Sequence, residues 1–307
     1  MTHAPLVSVL MAVHDGERHL RESIDSVLSQ TFTDFELIVI DDGSSDGTGA
    51  ILQTYDDARI LTVRNEANVG VTRSLNRGLG QARGRYVARQ DDDDVSEPDR
   101  LERQVEFLKA NREVALVGSA YLRIDDDGTV VARRDVPTDV TAIRWRLLFV
   151  NALASSSVVF RRDVVEGLNG YDERFPYAQD YDLWSRIAAT EVVAALPVPL
   201  MRYRSGETTL TATIGASADD VDRISRENIR RLGGAGARLA ATIDREAAWR
   251  LLFATSKGIG RRRAARAARD TLVIRDAFGT QQRLGRKRRL RDRAGLTLQL
   301  ARAVVRA

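Results

Sequence analysis

Asp91-Asp92-Asp93-Asp94 sets four carboxylates in a row directly behind the apolar stretch Arg85-Tyr86-Val87-Ala88. Adjacent negative charges repel, so such a run at the end of a buried strand needs a counter-charge. A hard divalent cation supplies one, because it takes oxygen ligands and bridges to substrate phosphates. A solvated turn is the plain reading of a bare acidic run. Here the run has company, since His14-Asp15 and Asp41-Asp42 also stand directly behind apolar stretches. The chain has no cysteine and three histidines (His3, His14, His19), which leaves oxygen to hold any metal and favours Mg²⁺ or Mn²⁺. The usual nucleotide loops are missing: no phosphate loop with its lysine, and no G-x-G-x-x-G after the first strand. Gly43-Ser44-Ser45-Asp46-Gly47-Thr48 lacks that lysine and reads as a turn capping the next helix. Carboxylates in place of glycines imply phosphate handled through a metal, with a nucleoside diphosphate as leaving group.

The elements that must position these groups alternate. Val7–Val13 is short and β-branched, and Leu20, Ile24, Val27 and Leu28 recur at helical spacing after it. Phe35–Ile40 and Arg59–Val63 read as further strands, with helices from Ala50 and through Leu75 and Leu79. Fully apolar strands alternating with helices predict a mostly parallel, doubly wound α/β sheet. Ligands bind such sheets outside the carboxyl ends of the strands, so the three acidic sites should converge on one cleft. Beyond Pro98 the pattern predicts a helix through Leu101 and Leu108, then a hairpin around Asp126-Asp127-Gly128. A helix over Asp139–Phe149, a strand at Ser156–Phe160 and a helix over Tyr181–Thr190 follow. From about Ser217 the strand signals give way to helix.

Val7-Ser8-Val9…His14-Asp15, Ser29–Leu37 and Val39–Thr48 resemble the opening of inverting family-2 glycosyltransferases of the GT-A fold. Asn68-Val69-Gly70…Asn76, Asp91–Asp94 with Pro98 and Leu101, and Gly170-Tyr171-Asp172…Gln179–Trp184 continue the likeness in order. It spans roughly residues 5 to 205, two thirds of the chain, and six pieces in sequence are far more specific than any one.

The resemblance implies roles. Asp180 is the expected general base, deprotonating an acceptor hydroxyl for in-line attack at the anomeric carbon; as a plain structural residue it would cap the helix through Leu183 and Ile187. Asp93 is the expected metal ligand. Asp91 and Asp92 are expected to support it or to meet the ribose. Asp42 corresponds to the carboxylate that accepts a pyrimidine N3–H, which favours UDP- or dTDP-linked donors, with Asp41 orienting it or reaching the ribose. His14 stands where an aromatic stacks on the base, and Ala12 and Asn68 complete the nucleotide-sugar contacts. Arg204 is a candidate for the diphosphate, whereas Arg73 and Arg89 read as surface ion-pair residues and Trp184 as core. The chain departs from the family at Gln179, where glutamate is common, and at Ser155 and Ser205, where histidines often stand; acceptor preference and metal affinity are open on that account.

The net charge of +4 hides an asymmetry. Lys257–Ala307 carries 16 Lys/Arg against three Asp, a net of +13, which leaves −9 on the first 256 residues. Basic clusters interleaved with leucines suit an anionic membrane surface; with Phe278 the only aromatic among them, nucleic acid is disfavoured. No stretch approaches the ~20 apolar residues of a membrane span, and Met1–Pro5 lacks the charged-then-apolar pattern expected of a signal sequence. The expectation is a transferase domain at 1–215 and a basic helical extension at 216–307. The protein would be cytoplasmic, with the extension on the inner membrane face, and would pass sugar to a glycan or a lipid-linked acceptor. Two other readings stay open: a metal-dependent nucleotidyltransferase releasing pyrophosphate, and a non-catalytic module whose tail does the binding.

Overall fold

Val7–Val13 (β1) and Phe35–Asp41 (β2) are buried at every residue, because helices cover both faces of the sheet they form. Val7, Val9, Met11 and Val13 pack with Leu20, Ile24 and Val27 of helix α1 (Leu20–Leu28), and with Leu101, Val105 and Leu108 of a later helix. On the opposite face, helix α3 (Val71–Leu79) comes so close that a side chain at Gly78 would strike Leu10 and Ile40. The computed structural model describes residues 4–205, 218–233 and 266–275, with isolated positions 238, 240, 242–244, 248 and 278.

Strands β3 (Ile60–Arg64) and β4 (Tyr86–Arg89) pair in parallel with β2 and β1, and α2 (Thr48–Gln53) lies between β2 and β3 in the chain. The remaining elements are β5 (Val95–Ser96), α4 (Arg100–Ala110), β6 (Val114–Ile124), β7 (Val130–Arg134), α5 (Val140–Leu147), a 3-10 turn at Ser155–Ser157, β8 (Val159–Arg161), α6 (Arg162–Gly167), α7 (Gln179–Thr190), β9 (Val192–Arg204) and α8 (Ala218–Arg231). The sheet order is β3-β2-β1-β4-β8-β6-β9-β5, with β7 on β6. The first four strands are parallel. The second half is mixed: β8 runs antiparallel to β4 and β6, β9 parallel to β6, and β5 antiparallel to β9. The expected strand at Ser156–Phe160 divides into the 3-10 turn and the shorter β8.

One connection dictates curvature. The acidic run joins β4 to β5, yet three strands separate them in the sheet. Four strand spacings amount to roughly 19 Å in a flat sheet, while the run folds back through an Asp94 N–H to Asp91 carbonyl bond of 3.4 Å. A link that turns cannot span that width, so the sheet curls and brings β5 round to the run.

The chain divides into two compact units, Met1–Arg144 with Asn151–Ser217, and Trp145–Val150 with Ala218–Ala307. The second has its own apolar cluster, in which Leu148 and Phe149 pack with Ile229, Ile243, Ala267, Ile274 and Phe278. Within it, Asn228 Nδ2 donates to the Leu147 carbonyl at 2.8 Å and Ser225 Oγ to that of Leu148 at 2.6 Å. Most of the Arg-rich segment from Lys257 onward lies outside the described residues. Among the described residues no helix is long and apolar enough to cross a membrane.

Candidate functional site

The parallel register sets Val13 opposite Asp41, so the loops leaving β1 and β2 meet at one rim. Asp15 N–H donates to Ser44 Oγ at 3.0 Å, Gly16 N–H to Thr48 Oγ1 at 2.9 Å, and Asp15 Oδ1 accepts Ser45 N–H at 2.7 Å. Asp46 Oδ1 takes Thr48 N–H at 3.0 Å, so the Gly43–Thr48 segment does open α2 as a turn. His14, partly exposed, donates from Nδ1 to the Asp42 carbonyl at 2.9 Å, which leaves the ring at the mouth of the rim. Ala12, two residues earlier on β1, is buried.

Asp41 and Asp42 are both buried and serve different partners. Asp41 Oδ1 accepts Ser44 N–H at 2.9 Å and Oδ2 pairs with Arg64 at 2.5 Å. Asp42 Oδ1 accepts Asn65 Nδ2 at 2.6 Å and Val69 N–H at 2.9 Å, and Oδ2 accepts Gly70 N–H at 2.9 Å. Burial alone would raise the Asp42 carboxyl, but these donors outweigh it and hold it below the usual carboxylate value. Exposed Asn68 accepts the same Gly70 N–H at 3.0 Å. Gly43 makes room for this loop: its φ is +69°, and a Cβ there would lie 2.6 Å from the Ala67 carbonyl carbon.

The acidic run is far less well supplied. Asp91 forms an ion pair with Arg89, and its Oδ2 accepts Ser156 Oγ at 2.9 Å. Asp94 Oδ1 accepts Arg204 N–H at 2.8 Å, whereas its buried Oδ2 has no partner among the described residues. Burial first, then the neighbouring carboxylates, pushes Asp92 and Asp94 well above the usual value, and burial with Asp91 pushes Asp93 up to about 7. A Cβ on Gly16 would collide with Asp92 Oδ2, so the loop after β1 and the run share one space.

This excess of negative charge, all on oxygen, fits a hard cation. Among the described residues no three Asp, Glu or His side chains gather to form a complete cage. Asp93 is the carboxylate of this run that would hold Mg²⁺ or Mn²⁺, with few protein ligands beside it.

Asp180 sits in the first turn of α7, two residues inside its N-cap, Ala178, and so does not itself cap the helix. Its Oδ1 accepts Tyr181 N–H at 2.7 Å and its Oδ2 accepts Asn151 Nδ2 at 2.7 Å. Burial, opposed by the Tyr181 amide and reinforced by the charge of Asp91, pushes this carboxyl up to about 6. Asn151 binds Asp180 and Ser156 binds Asp91, so one short segment links the base candidate to the run. Helix α3 ties the two sides together: its N-terminal Gly70 binds Asp42, Thr72 Oγ1 donates to the Phe175 carbonyl at 3.1 Å, and Asn76 Oδ1 accepts Tyr171 N–H at 2.8 Å.

Two arginines differ from expectation. Arg89 is 1% exposed, not a surface residue, and donates to the carbonyls of Leu10 and Gln90 at 2.8 and 2.9 Å as well as to Asp91. Arg204 is equally enclosed: it donates to the carbonyls of Asp93, Asp125 and Asp126 and to Glu22 at 2.6 to 3.1 Å. Its guanidinium thus braces the run from behind and is not open to a diphosphate in this structure. Arg73 does form the expected exposed ion pair, with Glu173, and Trp184 is fully buried core. Sequence reasoning missed Asn151 and the enclosed hydroxyl of Tyr171, which has no partner among the described residues. Tyr171 lies within the Gly170-Tyr171-Asp172 motif, whereas Asn151 stands four residues before the Ser155 position and carries no further sequence signal.

Residues 8–168, more than half of the chain, match Glycosyl transferase family 2, and the chain belongs to that family. It is 33% identical over 242 residues to an uncharacterized glycosyltransferase of Haemophilus influenzae, covering 75% of each chain. It is 31% identical over 206 residues to the amylovoran biosynthesis glycosyltransferase AmsE of Erwinia amylovora, covering 66% of this chain and 77% of AmsE. Among solved structures, TarS 1-349 of S. aureus in complex with UDP-GlcNAc is similar with a TM-score of 0.65 at 17% identity, over 94% of this chain and 95% of that one. The fold is of the GT-A type, and the protein is a glycosyltransferase.

Proposed function

We propose that the protein is an inverting transferase that moves a sugar from a UDP- or dTDP-linked donor to a hydroxyl of a glycan or lipid-linked acceptor, in the assembly of a cell-surface polysaccharide. The observation that carries this reading is Asp180: a desolvated carboxyl raised to about 6, held by Asn151 and the Tyr181 amide, within the influence of an acidic run whose carboxyls are themselves raised. Asp180 takes the acceptor's proton as the acceptor oxygen bonds to the anomeric carbon and the bond to the diphosphate breaks. Asp42 meets the base through the remaining lone pair of Oδ2, His14 stacks on it, and Asp41, Asn68, Asp91 and Asp92 line the ribose and sugar. Asp93 would hold a Mg²⁺ or Mn²⁺ ion, which would supply charge neutralisation for the departing diphosphate. The complex of TarS with UDP-GlcNAc supports a uridine donor, and the amylovoran biosynthesis role of AmsE supports polysaccharide assembly. The basic segment from Lys257 onward holds the enzyme to the anionic inner leaflet, where a lipid-linked acceptor would lie.

A thermal-shift panel of UDP, dTDP, GDP and CDP, each with and without Mn²⁺, tests the reading on wild type and Asp93→Ala. Metal-dependent stabilisation by UDP or dTDP, absent from the variant, is expected; no shift with any nucleotide would overturn it.

A further inference from the structure

Asn151 touches the base from a loop that no recognised motif covers. Its Nδ2 donates to Asp180 Oδ2 at 2.7 Å, while its own Oδ1 accepts the Leu153 N–H at 3.3 Å. The second bond settles which way round the amide lies, since Oδ1 faces a donor and the NH₂ must then face the carboxylate. The other oxygen of Asp180 is held by the Tyr181 amide, so two different elements grip the carboxyl. Five residues beyond Asn151, Ser156 binds Asp91 twice at 2.9 Å, accepting its N–H and donating to Oδ2. The strip 151–156 therefore grips one carboxylate on the base side at one end and one on the acidic-run side at the other.

We propose that Asn151 is a positioning residue for sugar transfer: its amide holds Asp180 Oδ2 so that a defined lone pair faces the acceptor hydroxyl. The inference rests on the reading of Asp180 as base. The acceptor proton passes to Asp180 and Asn151 keeps its own. The charged and titratable groups facing Asp180 are Arg89 and Asp91 from the end of β4 and the Tyr171 hydroxyl from the loop before α7. Against that constant background, an N–H donor favours the ionised carboxylate, and its removal favours the proton.

The test is an NMR titration of protein carrying ¹³Cγ-aspartate, in metal-free buffer, with the Asp180 resonance assigned by its loss in Asp180→Asn. The wild-type midpoint is expected near 6, as burial dictates, and about half a unit or more higher in Asn151→Ala. Asn151→Asp is isosteric and keeps the test alive if the alanine variant does not fold; a second carboxylate there raises the midpoint further. An unchanged midpoint in both variants overturns the proposal. UDP release from a panel of UDP- and dTDP-sugars separates the two ideas. Turnover retained by Asp180→Asn sinks the base reading, whereas an inactive Asp180→Asn with unmoved Asn151 midpoints sinks the positioning role alone. A purely structural Asn151 would lower the melting temperature without moving the midpoint.

Discussion

Asp42 and Asp180 are aspartates at the carboxyl rim of one sheet, yet their surroundings push them in opposite directions. Asp42 collects three N–H donors from the 65–70 loop and is held below the usual carboxylate value. Asp180 has two donors, a carboxylate neighbour and little water, and rises to about 6. Asp42 shapes the loop that would face a donor, and it stays charged at any physiological pH. In Asp180 and in Asp92–Asp94 burial and neighbouring carboxylates make the charged form costly, and such perturbed carboxyls cluster where a proton or a cation is exchanged.

The comparison breaks most sharply at Asp180. Asp180→Asn should lower kcat by about 10²–10⁴-fold, the usual worth of a general base, while nucleotide binding in the thermal-shift panel persists. Residual turnover within tenfold of wild type would move the base elsewhere. Asp93→Ala should remove the metal-dependent part of nucleotide stabilisation, about 2.7 kcal/mol at a hundredfold excess over Kd. Stabilisation that survives in the variant would show the run to be structural.

Acidity offers a gentler probe. A base raised to about 6 must lose its proton to act, so kcat should fall about tenfold per pH unit below 6 and level off above it. A profile flat down to pH 5 would put Asp180 back among ordinary carboxylates. Asp42→Asn replaces one accepting oxygen by a donor facing N–H groups, which should cost about 1–3 kcal/mol in urea unfolding and leave that acid limb in place. At the small end, the exposed Arg73–Glu173 pair should yield less than about 1 kcal/mol on Arg73→Ala.

Local pattern is enough for the parallel half of the sheet. β1, β2 and β4 announce themselves as apolar runs, and the acidic residues behind them have nowhere to go but the rim. The β6–β7 hairpin is equally visible in Asp126-Asp127-Gly128. What escapes depends on partners far along the chain. Arg89 reads as a surface cation because nothing near it in sequence shows that Leu10 and Val158 hold it inside the sheet. Arg204 reads as a ligand contact because its partners, Glu22 and the backbone of Asp93, Asp125 and Asp126, lie up to 182 residues away. Asn151 is one polar residue in a small-residue loop, and only the fold shows it facing Asp180. The mixed half of the sheet is hidden for the same reason, since β5 is two residues long and finds β9 only because the sheet curls.

Arg204 closes β9 and fastens the acidic run 110 residues behind it, through Asp94 and the carbonyl of Asp93. On the ribosome the run therefore emerges long before the strand that shapes it. A half-synthesised chain carries every carboxylate behind β1, β2 and β4 but cannot yet present them in order, and the run takes its final arrangement only after residue 204 has left the exit tunnel.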